Sequence, residues 1–193
     1  MLIVKMYVTL LSTIVAGIIN SIFCKTKILD KLKKPIDNKK CIKNKRVFGD
    51  NKTWKGFFGY IFFNIIFTII FGFIWKITRL EYLNFFYINH NNTILFNILI
   101  GLLIGLFYAL FELPNSFIKR RLNIEPGKNP TGLKKIFFIF LDQADSLFGI
   151  CLVVWMFYPL GIINYLIYIL VGAITHLLIN MLLYLLHLRK NMF

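Results

Sequence analysis

Acidic residues are scarce in this chain: eight Asp and Glu stand against 23 Lys and Arg in 193 residues, a formal charge of +15. Charged side chains of both signs make up only 16% of the sequence, and hydrophobic ones 58%. A soluble domain carries about 25% charged and about 45–50% apolar residues, so a water-soluble globule is excluded. Cysteine is sparse as well. Cys24, Cys41 and Cys151 form no C-x-x-C pair and have no histidine at ligand spacing, which excludes a disulfide framework and a zinc site. His90, His176 and His187 are scattered, and His176 reads as a packed, hydrogen-bonded side chain. The chain has no Gly-x-Ser-x-Gly, no Ser-His-Asp set and no cysteine paired with a base, which argues against covalent hydrolase chemistry. The G-x-x-x-x-G-K-[ST] order of a Walker loop is also missing.

What the chain does have is long apolar runs. Five of them, at 6–23, 57–75, 94–111, 136–158 and 162–186, have spanning length. The first lacks a basic leader and a small-x-small cleavage site, so it reads as a retained helix. The expected fold is an all-α polytopic membrane protein, with residues 1–193 forming one integral membrane domain. Basic residues give the orientation. Residues 25–55 hold 12 of them, 112–135 hold 6, and Arg189 and Lys190 lie in the tail, whereas Lys5, Lys76 and Arg79 fall on the other side. The positive-inside bias therefore sets both basic loops and the C-terminus in the cytoplasm of a multi-pass cell-membrane protein, with the N-terminus outside. The same bias, with attraction to anionic lipid, accounts for the net charge without a nucleic acid partner. Residues 29–46 read as a mobile, Lys-rich loop.

Two aspartates, Asp142 and Asp145, interrupt the fourth run in the segment Leu141-Asp142-Gln143-Ala144-Asp145-Ser146. A carboxylate in hydrocarbon costs roughly 2.5–3.5 kcal/mol on insertion scales. Spaced three apart on a helix, the two share a face with Cβ atoms about 5–6 Å apart, and they repel unless a cation or a proton intervenes. Such a pair is a natural seat for Mg²⁺, which takes oxygen ligands and shares substrate phosphates. The alternative is neutralisation by Lys or Arg from neighbouring helices. Glu112 is a third acid at the same depth and could complete a metal site. Pro114 is expected to break the third span, so that a new turn or short helix begins there. Ser116, Lys119 and Arg120 then share a face that suits a tetrahedral phosphate. The segment 49–56, Gly-Asp-Asn-Lys-Thr-Trp-Lys-Gly, offers backbone N–H groups, Lys52, Thr53 and Lys55 to phosphate oxygens. It reads equally as an interfacial tryptophan with basic anchors. Gly101 and Gly105 form a G-x-x-x-G, used for close helix packing within the chain or between two copies, and a homodimer is compatible with it.

Taken together, these motifs resemble the membrane CTP-dependent cytidylyltransferases of the CDP-diacylglycerol synthase superfamily. The chain is more similar to the smaller CDP-archaeol synthase-like branch, which has about five spans, a Gly-x-x-Lys-Thr-Trp-x-Gly segment before the second, and a compact LDQ-x-DS. Larger relatives carry Pro-Gly-His-Gly-Gly before the aspartates, where this chain has Asn129-Pro130-Thr131-Gly132-Leu133-Lys134-Lys135. The branch often has Asp where Glu112 stands. The resemblance implies Mg²⁺-dependent conversion of CTP and a membrane lipid phosphate, either phosphatidic acid or an ether-linked isoprenoid phosphate, to CDP-lipid and pyrophosphate. It implies Mg²⁺ on Asp142 and Asp145, with Glu112 as a further ligand. Ser116, Lys119 and Arg120 would take the lipid phosphate or pyrophosphate, and Lys52, Thr53, Lys55 and Arg121 the nucleotide. A CDP-alcohol phosphotransferase would need an Asp-Gly-x-x-Ala-Arg run that is absent. A non-enzymatic transporter or lipid-binding scaffold remains the alternative, though five unequal spans without an internal repeat disfavour a transporter.

Overall fold

The computed structural model describes residues 1–128, 130 and 132–188. Its elements run α1 (Leu2–Phe23), β1 (Cys41–Ile42), β2 (Lys45–Arg46), α2 (Trp54–Thr78), α3 (Phe85–Ile88), α4 (Ile94–Arg121), α5 (Leu133–Phe157) and α6 (Gly161–Leu185). Among the described residues five helices, all but the short α3, are long and apolar enough to cross a membrane. They correspond to the five expected runs. Asn129 and Thr131, before α5, and Arg189 and Lys190 of the tail lie outside the described residues.

The third run differs most from expectation. α4 does not break at Pro114 but continues through it to Arg121. An interior proline costs about 3 kcal/mol through its missing N–H and its clash with the preceding turn. Side-chain bonds made by the last turns oppose that cost: Asn115 and Lys119 bond to α5, and Arg121 to the first loop.

The helices pack in an open series, α1 on α2, α2 on α4, α4 on α5 and α5 on α6, while α1 and α6 barely meet. The α2–α4 contact is close because of glycine. A Cβ on Gly101 would stand 2.6 Å from Ile65 Cα, and one on Gly105 2.6 Å from Ile61 Cα. The G-x-x-x-G is thus spent inside the chain. At the end away from the basic loops, Phe85 and Phe86 are buried as a plug, and the Phe85 amide donates to Thr9 Oγ1 at 3.0 Å. Beside them Asn92 donates to Gly72 O and Glu81 Oε1, both at 2.7 Å.

At the other end the Lys-rich loop is folded rather than loose. Asp37 organises it, accepting from Arg46 at 2.8 and 3.2 Å and from the backbone amides of Lys39, Phe48 and Gly49 at 3.0 Å each. Burial alone would raise the Asp37 pKa, but these donors outweigh it and hold the carboxyl well below the usual carboxylate range. Arg121 then donates to the carbonyls of Ile42 at 2.8 Å, Lys45 at 2.9 Å and Arg46 at 2.5 Å, while Lys45 Nζ returns to Arg121 O at 2.8 Å. The loop is thereby fastened to the end of α4. Two strand-like bonds, Ile36 N to Lys52 O at 2.8 Å and Trp54 N to Lys34 O at 3.0 Å, lead it into α2.

Gly105→Val should force α2 and α4 apart, with a cost of about 1–3 kcal/mol from overpacking. Thermal unfolding in detergent should fall accordingly, and an unchanged midpoint would contradict the packing. Asp37→Ala strips the acceptor from Arg46 and the three amides. Trypsin should then cut within residues 25–55 far faster than in the parent protein, with the helices intact. A depressed carboxyl stabilises its fold above the ordinary Asp value of about 3.9 and loses that only in stronger acid, so loop protection should be flat across neutral pH.

Candidate active site

At the basic end the first loop, α4, α5 and α6 surround a polar cavity of about 570 Å³. It runs on, past Lys52, Tyr108, Glu112 and Asn180, into a neighbouring space of about 490 Å³ beside Thr53 and Ile36. Every expected acid lines the larger space, as do Lys52, Ser116, Lys119 and Arg120. Residues more than fifty positions apart therefore meet at one depth because α4 and α5 run antiparallel and the loop delivers Lys52 between them.

Each carboxylate has its own compensation. Lys52 Nζ donates to Glu112 Oε2 at 2.5 Å. Burial pulls the Lys52 ammonium down, but the Glu112 carboxylate beside it more than offsets this and raises its pKa. Lys119 Nζ pairs with Asp142 Oδ2. Asn115 Nδ2 spans the pair, donating at 2.7 Å to Asp142 Oδ1 and at 2.7 Å to Asp145 Oδ2. Asp145 is buried, and its other oxygen accepts from the Ser146 amide at 2.6 Å. Asp142 thus pairs with a cation, whereas the hydrogen bonds to Asp145 come from neutral donors. Glu112 bonds to Lys52 and does not join the aspartates, and among the described residues no three of His, Cys, Asp and Glu gather as a metal-ligand set.

Arg120 is the converse case. It is buried in the cavity wall, and its Nε and Nη1 have no hydrogen-bond partner among the described residues. A buried guanidinium without an acceptor is costly, and carboxylate or phosphate matches its geometry. Arg121 and Lys55 face elsewhere: Arg121 holds the loop carbonyls, and Lys55 is buried with Nζ on Thr26 O at 2.7 Å and over the Phe23 ring. Thr53 caps α2, accepting from the Gly56 amide at 3.2 Å. The glycine amides that the sequence suggested for phosphate are taken internally, Gly49 N by Asp37 and Gly56 N by Thr53.

Three contributors were not singled out from the sequence. Asn115 has a readable signal in hindsight, since Glu112, Asn115 and Lys119 follow a helical i, i+3, i+7 stripe on α4. Asp37 had none, as its partners all come from the loop's tertiary fold. The third is a polar pair behind Asp142, where Asn180 Nδ2 donates to Gln143 Oε1 at 2.6 Å and ties α6 to α5. His176 also lines the cavity, with Nδ1 3.3 Å from Gln143 O.

The polar cavity has an apolar annex. Between α1 and α6, where the helices barely meet, lies a narrow groove of about 90 Å³ whose walls include Leu10, Ile14, Leu147, Ile150, Val171 and Ile179. It shares Tyr60, Tyr108 and Ser21 with the polar spaces. Tyr7 Oη and Thr175 Oγ1, 2.9 Å apart, bridge it. A polar chamber joined to an apolar slot at the membrane-facing gap suits an amphiphile, with its charged head inside and its chains in the slot.

Comparison with known proteins gives the family and the fold. A model of the CarS-like, CDP-archaeol synthase family matches residues 1–193. A solved structure, described as an intramembrane enzyme for archaeal membrane lipid biosynthesis, superposes with a TM-score of 0.61 over 91% of this chain and 92% of that one. At 19% identity that likeness concerns the fold. No curated protein sequence matched. With the family model covering its whole length, the chain belongs to the CDP-archaeol synthase family, and it is a multi-pass membrane transferase, a CTP-dependent cytidylyltransferase that makes a CDP-lipid.

Proposed function

We propose that the polar cavity is where CTP and a membrane lipid phosphate meet, facing the cytoplasm, and that the α1–α6 groove takes the lipid chains. The observation that carries this reading is the pairing of opposites in one chamber: Arg120 with N–H groups that have no acceptor among the described residues, and Asp145 bonded to neutral donors. The bias of basic residues to this end supports a cytoplasmic opening, on the side where nucleotides are. The family description favours an archaeol-type ether lipid phosphate as the acceptor, with phosphatidic acid second.

In the reaction an oxygen of the lipid phosphate attacks the α-phosphorus of CTP. A new phosphorus–oxygen bond forms, the bond to the β-phosphate breaks, and pyrophosphate leaves. The attacking oxygen is already anionic, so no protein nucleophile is needed and catalysis rests on positioning and charge stabilisation. The donor set suits Mg²⁺: two hard carboxylates share one side of α5, and Asn115 Oδ1 beside them is buried without a partner among the described residues. Asp142 and Asp145 would hold the ion, which when bound supplies neutralising charge to the CTP phosphates. Asn115 keeps the two carboxylates at a common spacing. Arg120 grips the phosphate being transferred or released, Ser116 donates to it, and Lys119 and Lys52 add charge from opposite walls.

CDP-lipid formation from labelled CTP, with an archaeol-type phosphate and phosphatidic acid offered in parallel, tests the reading. Asp145→Asn and Arg120→Gln should each cut turnover by at least ~100-fold, the scale of losing one charge-stabilising group, while inserting and purifying as the parent does. Near-parental turnover in either variant would refute its assigned role. A bulky side chain in the slot should act on the lipid alone. Ile14→Trp should raise the KM for lipid phosphate and leave that for CTP unchanged, and the reverse pattern would place the chains elsewhere.

A further inference from the structure

The loop after α1 carries a feature the reaction does not use. Ile28, Leu29 and Leu32 are 62%, 61% and 37% exposed, although the loop around them is folded. Their backbone is fixed: Lys55 holds Thr26 O at 2.7 Å, the Ile28 amide donates to Thr26 Oγ1 at 3.3 Å, and Asp30–Leu32 form a short turn of 3₁₀ helix. Leu29 sits at φ 51, in the left-handed region that is unfavourable for a leucine. Its carbonyl accepts from the Leu32 amide at 2.9 Å, while its side chain projects outward.

Around these apolar groups stand Lys25, Lys27, Lys31, Lys33 and Lys34, all exposed, with Asp30 the sole acid in residues 25–34. Among the described residues none of these lysines makes an ion pair. The segment starts one residue beyond Cys24, the C-cap of α1, so it lies where that helix leaves the bilayer. Lys25 also lines the rim of the inner cavity. Exposed aliphatic side chains ringed by lysine at a membrane boundary are complementary to one partner, a lipid surface with anionic headgroups.

We propose that residues 25–34 form a membrane-docking element, with Ile28, Leu29 and Leu32 inserted among the acyl chains of the adjoining leaflet and Lys27, Lys31, Lys33 and Lys34 on anionic headgroups, Lys25 Nζ being held by Leu188 O. Burial in lipid offsets the exposure and strain of Leu29. The same lysines concentrate anionic lipid phosphate at the cavity rim. This second consequence rests on the cytidylyltransferase reading, whereas the docking itself does not.

The test uses the full chain in nanodiscs, with Cys24, Cys41 and Cys151 changed to Ser and an environment-sensitive fluorophore on Ile28→Cys. The same label on Asn44→Cys, in the exposed hairpin turn, is the control. In nanodiscs of phosphatidylcholine with phosphatidylglycerol, the label at 28 should resist aqueous iodide and be quenched by a nitroxide lipid, unlike the label at 44. Iodide quenching at 28 equal to that at 44 would overturn the proposal, whatever the enzyme's activity. Separately, changing Lys27, Lys31, Lys33 and Lys34 together to Gln should raise the KM for surface-diluted lipid phosphate by about fivefold or more at low ionic strength, with the KM for CTP unchanged. An unchanged lipid KM would leave the docking but remove its role in collecting substrate.

Discussion

The structure depends on compensating three carboxylates at the end of a membrane-spanning bundle. Each would cost roughly 2.5–3.5 kcal/mol in the hydrocarbon, and removing one partner from a buried pair is more costly still, because the other charge is then stranded. The solution here is distributed. Lys52 answers Glu112 from the first loop, Lys119 answers Asp142 from α4, and Asn115 ties both aspartates together. To bring these groups to one depth, α4 must continue unbroken past Pro114 and the Lys-rich loop must fold back onto the bundle. The unbroken α4 and the folded loop, two departures from sequence expectation, therefore answer the same electrostatic demand.

The compensation is uneven, and that unevenness links structure to chemistry. Glu112 and Asp142 have cationic partners, while Asp145 is bonded to neutral donors and Arg120 has N–H groups without an acceptor among the described residues. A phosphate accompanied by a divalent cation is complementary to both. The packing serves the same end: glycine lets α2 and α4 approach closely on one side of the bundle, whereas α1 and α6 stay apart on the other. The bundle is thus tight between α2 and α4 and open between α1 and α6, beside the charged chamber.

Much of this was legible in the sequence. Runs of apolar residues mark the five helices because a spanning helix must be apolar along its whole length. Asp142 and Asp145 stand out for the same reason, as charges where hydrocarbon is expected. Ser116, Lys119 and Arg120 followed from helical periodicity, which holds over short separations. What was hidden depends on contacts remote in sequence. Asn115 is an ordinary polar residue near a helix end until α5, some thirty positions later, supplies its partners. Asp37 looks like any acid in a basic loop, and only the folded hairpin shows its donors. Lys55 and Arg121 share the composition of a phosphate-binding residue, yet one is turned to Thr26 and Phe23 and the other to loop carbonyls.

On the proposed function, the aspartate pair and Arg120 form one receptor for a metal-accompanied nucleotide. Equilibrium binding of CTP to the purified protein without lipid, in Mg²⁺ and then in a chelator, measures this directly. Binding that is strong in Mg²⁺, lost on chelation and weakened in Asp142→Asn is the predicted result. CTP affinity that is the same with and without Mg²⁺ would contradict it.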